Sequence, residues 1–139
     1  MNQVTSQAPP KNDNLLAALC HLTGLFTYLL PFLGNFILLL IIWAVKRKDS
    51  PLIDESGKAA LNFQISMLIY LAIGVVACGI SFLLFAIVRM DILVIGMMAM
   101  AGVFLIFYNI FYCVFIILAA ITASEGRVYN YPLAIRFIQ

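Results

Sequence analysis

The chain has 139 residues, of which 65% are hydrophobic and 10% charged, and its mean hydropathy of +1.09 lies far above the balance of a soluble domain, in which about half the residues are apolar. A soluble globule is excluded. Positions 15 to 45, 59 to 88 and 92 to 124 carry no charge, and each run exceeds the roughly 20 apolar residues that cross a hydrocarbon core about 30 Å thick. The composition predicts an all-α membrane protein, a small bundle of four hydrophobic helices.

Residues 1–14, with Pro9, Pro10 and a string of Asn, Gln, Ser and Thr, read as a polar, disordered tail. Asp13 and the lack of a small-x-small cleavage site before Pro31 argue against a signal peptide. As a single helix the run 15–45 would measure about 46 Å. It contains Pro31-Phe32-Leu33-Gly34-Asn35, in which proline removes a backbone donor, glycine permits a turn and asparagine caps a new helix. Two short helices, 15–30 and 35–48, joined as a hairpin, are therefore expected. Pieces of this length fall below the usual span, so both a spanning and a re-entrant hairpin stay open, with a single proline-kinked helix as the alternative.

Lys48-Asp49-Ser50-Pro51 breaks the chain, and Ser50 before Pro51 suits a helix start with Asp54 and Glu55 near its positive end. The third helix then covers 51–88. Arg89-Met90-Asp91 forms the opposite turn, the fourth helix covers 91–124, and Gly126 supplies a stop. Residues 15–125 form the helical bundle. Residues 126–139, with Tyr129, Tyr131 and Arg136, are expected as an interfacial tail in the headgroup layer.

With a hairpin at the start, the amino tail, the connector and the carboxyl tail share one side, where seven basic residues stand against Arg89 opposite. The positive-inside rule makes that side cytoplasmic, in a multi-pass protein of the bacterial inner membrane. A kinked first helix would move Lys11 across and still keep the connector inside. Lys46-Arg47-Lys48 is a topology signal, too short for a nucleic-acid patch. Together with Asp54, Glu55 and Lys58 it also makes a candidate cytoplasmic interaction face carrying both signs.

The polar residues inside the apolar runs are His21, Asn35, Asn62, Gln64 and Asn109. Asn109 lies at the middle of its run and His21 near the middle of 15–30, so a mid-depth hydrogen bond between them is expected. Asn62 and Gln64 lie about 200° apart around their helix and must contact different neighbours. Small and polar faces recur: Asn62, Ser66, Tyr70, Gly74, Ala77 and Ser81; Gly102, Ile106, Asn109, Cys113, Ile116, Ala120 and Ala123; Ala17, Cys20, Gly24 and Thr27. They predict tight helix packing, extended by self-association. One histidine and no intramembrane carboxylate leave no multi-histidine metal site and no Ser-His-Asp arrangement, and no phosphate-binding loop is present. Cys20, Cys78 and Cys113 lack CxxC spacing and read as packing residues. No cofactor and no enzymatic reaction are expected.

Leu19-Cys20-His21-Leu22-Thr23-Gly24, Pro31-Phe32-Leu33-Gly34-Asn35, Asp54-Glu55-Ser56-Gly57-Lys58-Ala59-Ala60-Leu61-Asn62-Phe63-Gln64 and Tyr131-Pro132-Leu133-Ala134-Ile135-Arg136-Phe137 together resemble a small bacterial membrane family known as domain of unknown function 4870. That family includes the magnetosome membrane proteins MamF and MmsF and is distantly similar to the twenty-kilodalton inner-envelope component of the chloroplast import translocon. The resemblance implies a membrane address and a compact helical fold without an established reaction. The functional expectation is a non-enzymatic scaffold or assembly factor, with a small channel or translocon-like subunit working as an oligomer as the alternative. The expected partners are the lipid bilayer, a second copy and another membrane protein, not nucleic acid.

Overall fold

The computed structural model describes residues 11–29, 34–88 and 90–139. Helix α1 (Lys11–Leu22) continues into a 3-10 segment (Thr23–Tyr28), followed by α2 (Gly34–Lys46), α3 (Pro51–Ile87) and α4 (Asp91–Ser124). The described residues form an all-α bundle and contain no strand. Helix α1 starts earlier than expected, so residues 11–14 are helical rather than part of a disordered tail. Asn14 Nδ2 donates to the Ser124 carbonyl at 3.2 Å, satisfying one of the orphan acceptors at the end of α4. Residues 1–10 and most of the Pro31–Asn35 break lie outside the described residues, and α2 opens at Gly34 with Asn35 in its first turn.

The breakers act as their chemistry dictates. Ser50 is extended ahead of Pro51, whose missing N–H costs nothing at a helix start. Gly126 has φ of 79°. Its N–H donates to Ala123 O at 3.0 Å and that of Arg127 to Thr122 O at 3.2 Å, which is the Schellman arrangement that needs a left-handed residue.

Two hairpins of unequal length pack side by side. Helices α3 and α4 are about 55 and 51 Å long, against about 20 Å for α2 and about 30 Å for α1 with its 3-10 extension. Asn14 beside Ser124 and Trp43 beside Asp54 hold the outer ends of α1 and α2 at the connector end of the long helices. Asn35 on Gln64 and Tyr28 on Asn109 place the other ends further along them. The two short segments thus run antiparallel, as a hairpin and not as one kinked helix. They reach only about 20 Å along α3.

Burial follows from this mismatch. On α3 the buried side chains run from Leu52 to Met67, and on α4 from Tyr112 to Ala123. Ala17 and Ala18 meet Leu52, Ala120 and Ala123, small residues that let helix backbones approach. Phe63 is stacked on Tyr131 at 4.0 Å and on Tyr112 at 5.6 Å between ring centroids. Beyond Tyr70 and before Asn109 the rest of the chain makes no hydrogen bond to the long hairpin among the described residues. There the glycines have open space beside them: a methyl added at Gly79, Gly96 or Gly102 would meet nothing within 4 Å, and one at Gly74 would meet Phe104.

Two glycines mark the closest approaches, and they differ in what they touch. A methyl at Gly24 would lie 2.5 Å from Ile116 Cδ1, the mobile tip of a side chain. A methyl at Gly57 would run into Cδ1 of the Trp43 ring and lie 2.8 Å from its Cγ, and a rigid ring cannot yield at its tip. Gly57→Ala is expected to destabilise by about 1–3 kcal/mol, as overpacking does, and Gly24→Ala by less. Denaturation in detergent, followed by far-ultraviolet circular dichroism, ranks the two.

Candidate functional site

Helix α3 is polar on opposite sides within a few turns, and each side has its own cover. On one side, Thr23 Oγ1 donates to Cys20 O at 2.7 Å, Gln64 Nε2 makes a long 3.5 Å bond to Thr23 Oγ1, and Asn35 Nδ2 donates to Gln64 Oε1 at 3.3 Å. On the other side lies the chain's own carboxyl tail. Asn62 Oδ1 accepts from the N–H groups of Phe137 and Ile138 at 3.0 and 2.9 Å, while its Nδ2 donates to Ile138 O at 2.9 Å. One turn on, Ser66 Oγ accepts from the Ile135 N–H at 2.8 Å, and one further turn on, Tyr70 donates to Leu133 O at 3.0 Å. Asn62, Ser66 and Tyr70, spaced by four, form a ladder that reads peptide backbone.

Residues 126–139, expected as an interfacial tail, fold back along α3. Pro132 takes the second position of a turn closed by the Ala134 N–H on Tyr131 O at 3.4 Å, a place its fixed φ suits. Tyr131 is buried, Tyr129 packs edge-on against it and is partly buried, and Arg136 is exposed.

The expected His21–Asn109 pair does not form. His21 Nδ1 meets the Tyr131 hydroxyl at 3.0 Å. Asn109 Oδ1 accepts from Tyr28 at 2.8 Å, and its Nδ2 donates back to Leu105 O at 2.8 Å. The depth estimate failed because α1 starts at Lys11 and ends after Leu22. His21 therefore lies shallower than Gly24, which itself touches Ile116 and Tyr112, while Asn109 is a further turn or two along α4. A lone histidine and a tail tyrosine carry no spacing signal that would have paired them.

The connector face divides. Asp54 is engaged twice, accepting from Trp43 Nε1 at 2.9 Å and pairing with Lys58 at 2.8 Å. Arg47 lies over the Trp43 ring, 4.9 Å from its centroid, and Lys46 pairs with Asp49 at 2.9 Å. Such pairs are worth at most about 1 kcal/mol each near water, so their effect is to order the connector. Lys48 and Glu55 are exposed and make no ion pair among the described residues. Nor do three His, Cys, Asp or Glu side chains gather as metal ligands among the described residues.

Asp54 precedes the charge-free stretch of α3 that begins at Ala59. The Lys58 hydrogen bond, against the opposing effect of burial and with help from Trp43, holds its carboxyl below the usual carboxylate range. A depressed folded value means that Asp54 stabilises the connector above its unfolded pKa of about 4 and loses that effect only as pH falls through the lower folded value. Trp43 is the only tryptophan. Its emission is expected to stay constant from neutral pH to about 4 and to change only below that, and Asp54→Asn is expected to abolish the acid step. For the tail, Asn62→Ala is expected to speed amide hydrogen exchange at Ile138 at least several-fold, because that donor loses its acceptor, and less at Phe137, whose N–H also meets Ile135 O at 3.1 Å. Exchange measured by mass spectrometry in micelles checks this.

A protein-family model described as the magnetosome magnetite crystal formation protein family matches residues 12–138. No curated protein and no solved structure matches the chain. The matched stretch runs from the first turn of α1 through the tail residues held by Asn62, so short hairpin, long hairpin and folded-back tail lie within a single family unit. The chain belongs to the MamF/MmsF family of magnetosome magnetite crystal formation proteins.

Proposed function

We propose that the protein is a non-enzymatic membrane scaffold or assembly factor of the membrane in which its family supports crystal formation. The exposed lengths of α3 and α4, residues 68–87 and 91–111, each extend about 30 Å, one hydrocarbon thickness, and they form the span. The four-layered part, called the head below, sits at the connector-side boundary of the bilayer. There the exposed apolar side chains at the inner end of the short hairpin, such as Phe26, Leu29 and Ile37, rest in lipid. The charge pattern makes the connector, the tail and the start of α1 cytoplasmic, in a multi-pass protein of the bacterial inner membrane or a compartment continuous with it.

The observation that carries this reading is the convergence of the charged segments at one end. Contacts of Asn14 with Ser124, of Trp43 with Asp54, and of the tail with Asn62 gather them on one face. On that face Asp54 is committed to structure, whereas Lys48 and Glu55 remain for a partner. Affinity purification with Lys48→Glu/Glu55→Lys therefore tests docking without disturbing Asp54. The double reversal is expected to remove most co-purifying membrane protein at unchanged expression and topology. An unchanged partner set rules the face out.

The second reading, a channel or translocon-like subunit, needs an oligomer, because two helices enclose no path across the span. Ion flux through purified protein in liposomes would favour it over the scaffold.

A further inference from the structure

The tail doubles back over the start of α3. Leu133 meets Tyr70, Ile135 meets Ser66 and Ile138 meets Asn62, so the limb after Pro132 runs back toward the connector end. Between the two limbs and α3 lies a cavity of about 420 Å³, within the range of about 300–1,000 Å³ usual for binding sites. Its wall includes Glu55, Lys58, Asn62, Asn130, Tyr131 and Arg136.

The charges on this wall are not spent on one another. Lys58 is held at 2.8 Å by Asp54, which is not part of the wall. Glu55 and Arg136 are both exposed, and they pair neither with each other nor with any other charge among the described residues. A carboxylate and a guanidinium left open in one cavity select an occupant that carries both signs. A free phosphate would face Glu55, and a divalent cation would face Arg136. One uncommitted cation is also too little for nucleic acid, whose binding rests on several phosphate contacts.

Depth excludes the zwitterionic headgroups of the bilayer itself. Asn62 lies about 9 Å and Glu55 about 20 Å outward of Leu68, where the span begins, whereas a headgroup layer is only about 5–8 Å thick. On the bilayer placement proposed above, the charged rim therefore stands in the cytoplasm. Glu55 belongs both to this wall and to the exposed docking face, so the cavity continues that face. Asn130 adds an exposed amide with donors and an acceptor, the set that a peptide group complements.

We propose that this cavity is the specific seat on the docking face. It receives a cytoplasmic segment of the partner membrane protein in which a basic and an acidic residue stand close together, the base on Glu55 and the carboxylate on Arg136. The seat rests on the docking function proposed above and names the chemistry of its partner.

The full chain, ¹⁵N-labelled in neutral detergent micelles, is titrated with capped pentapeptides Gly-Lys-Gly-Asp-Gly, Gly-Lys-Gly-Lys-Gly and Gly-Asp-Gly-Asp-Gly, followed at the Asn130 side-chain amide signal. The mixed peptide is expected to bind roughly two- to fivefold more tightly than either like-charged one, the worth of an exposed ion pair. Arg136→Gln is expected to erase only its advantage over the dilysine peptide, and Glu55→Gln only its advantage over the diaspartate peptide. Lys48→Gln, outside the cavity, is expected to leave both advantages. Unchanged hydrogen exchange at Ile138 checks that the tail stays docked in each variant. Equal binding of the three peptides, an advantage over dilysine that survives Arg136→Gln, or one that disappears in Lys48→Gln overturns the proposal. So does full displacement of the mixed peptide by equimolar β-alanine, which assigns the cavity to a small zwitterion. In cells, Arg136→Gln is expected to lower recovery of the membrane protein that Lys48→Glu/Glu55→Lys removes, again roughly two- to fivefold. If the double reversal removes that protein and Arg136→Gln does not lower it, docking on the face stands and the cavity alone is wrong. If neither has an effect, docking itself fails and the cavity with it.

Discussion

A helix that is polar all round cannot face lipid, and α3 is such a helix for three turns. Ser56, Asn62, Gln64 and Ser66 project in different directions, since successive residues turn by about 100°. All four are buried. No single neighbour can cover them, and the architecture is what results when several do: the short hairpin takes the Gln64 side, the returning tail takes Asn62 and Ser66. The rest of α3 is apolar and needs only lipid, so it stands uncovered. Head and span are two answers, along one helix, to the same desolvation problem.

Where the head meets lipid, the hydrophobic effect does not hold it together, because lipid chains are as apolar as leucine. Small residues, stacked rings and hydrogen bonds of modest individual worth, averaging about 0.6 kcal/mol, must act together. The tyrosines illustrate this. Tyr108 and Tyr112, one turn apart on α4, donate to carbonyls of α3 and of the 3-10 segment respectively, tying three elements at neighbouring levels. Tyr131 closes the set, stacking on Phe63 while its hydroxyl meets His21. A tail residue thereby contacts the first helix and the third at once.

Much of this was legible in the sequence and some was not, for separable reasons. Charge-free runs and breakers act locally, so the hairpins, the Ser50-Pro51 start and the Gly126 stop could be placed from residue types alone. The opposite directions of Asn62 and Gln64 follow from helix geometry, and so does their having different partners. The identity of those partners does not follow. Asn62, Ser66 and Tyr70 bind main-chain groups of the tail, and every residue offers those groups, so no pattern in Ile135 to Ile138 announces the contact. The His21–Asn109 expectation failed on depth: centres of apolar runs locate residues only if each run spans, and it is Tyr28, at the end of the extension, that reaches Asn109. On the connector, composition gave six charges equal standing, whereas Trp43, a residue with one donor, singles out Asp54.

The register of the short hairpin is fixed at both ends of α2. Trp43 is held to Asp54 and Asn35 to Gln64. The two clamps are eight residues apart on α2 and ten apart on α3, about 12 and 15 Å of helix, a difference that side-chain reach absorbs. Adding or removing one residue would turn one clamp about 100° relative to the other, so both bonds survive only at this length. The same length decides where the hairpin ends. It stops at Gln64, the last turns of polar α3, and there Asn35 spends its amide on Gln64 and leaves its side-chain oxygen buried without a partner among the described residues. A longer α2 would carry Asn35 past Gln64 against an apolar wall, and a shorter one would leave Gln64 uncovered. The half-satisfied Asn35 is thus a consequence of where α3 ceases to be polar.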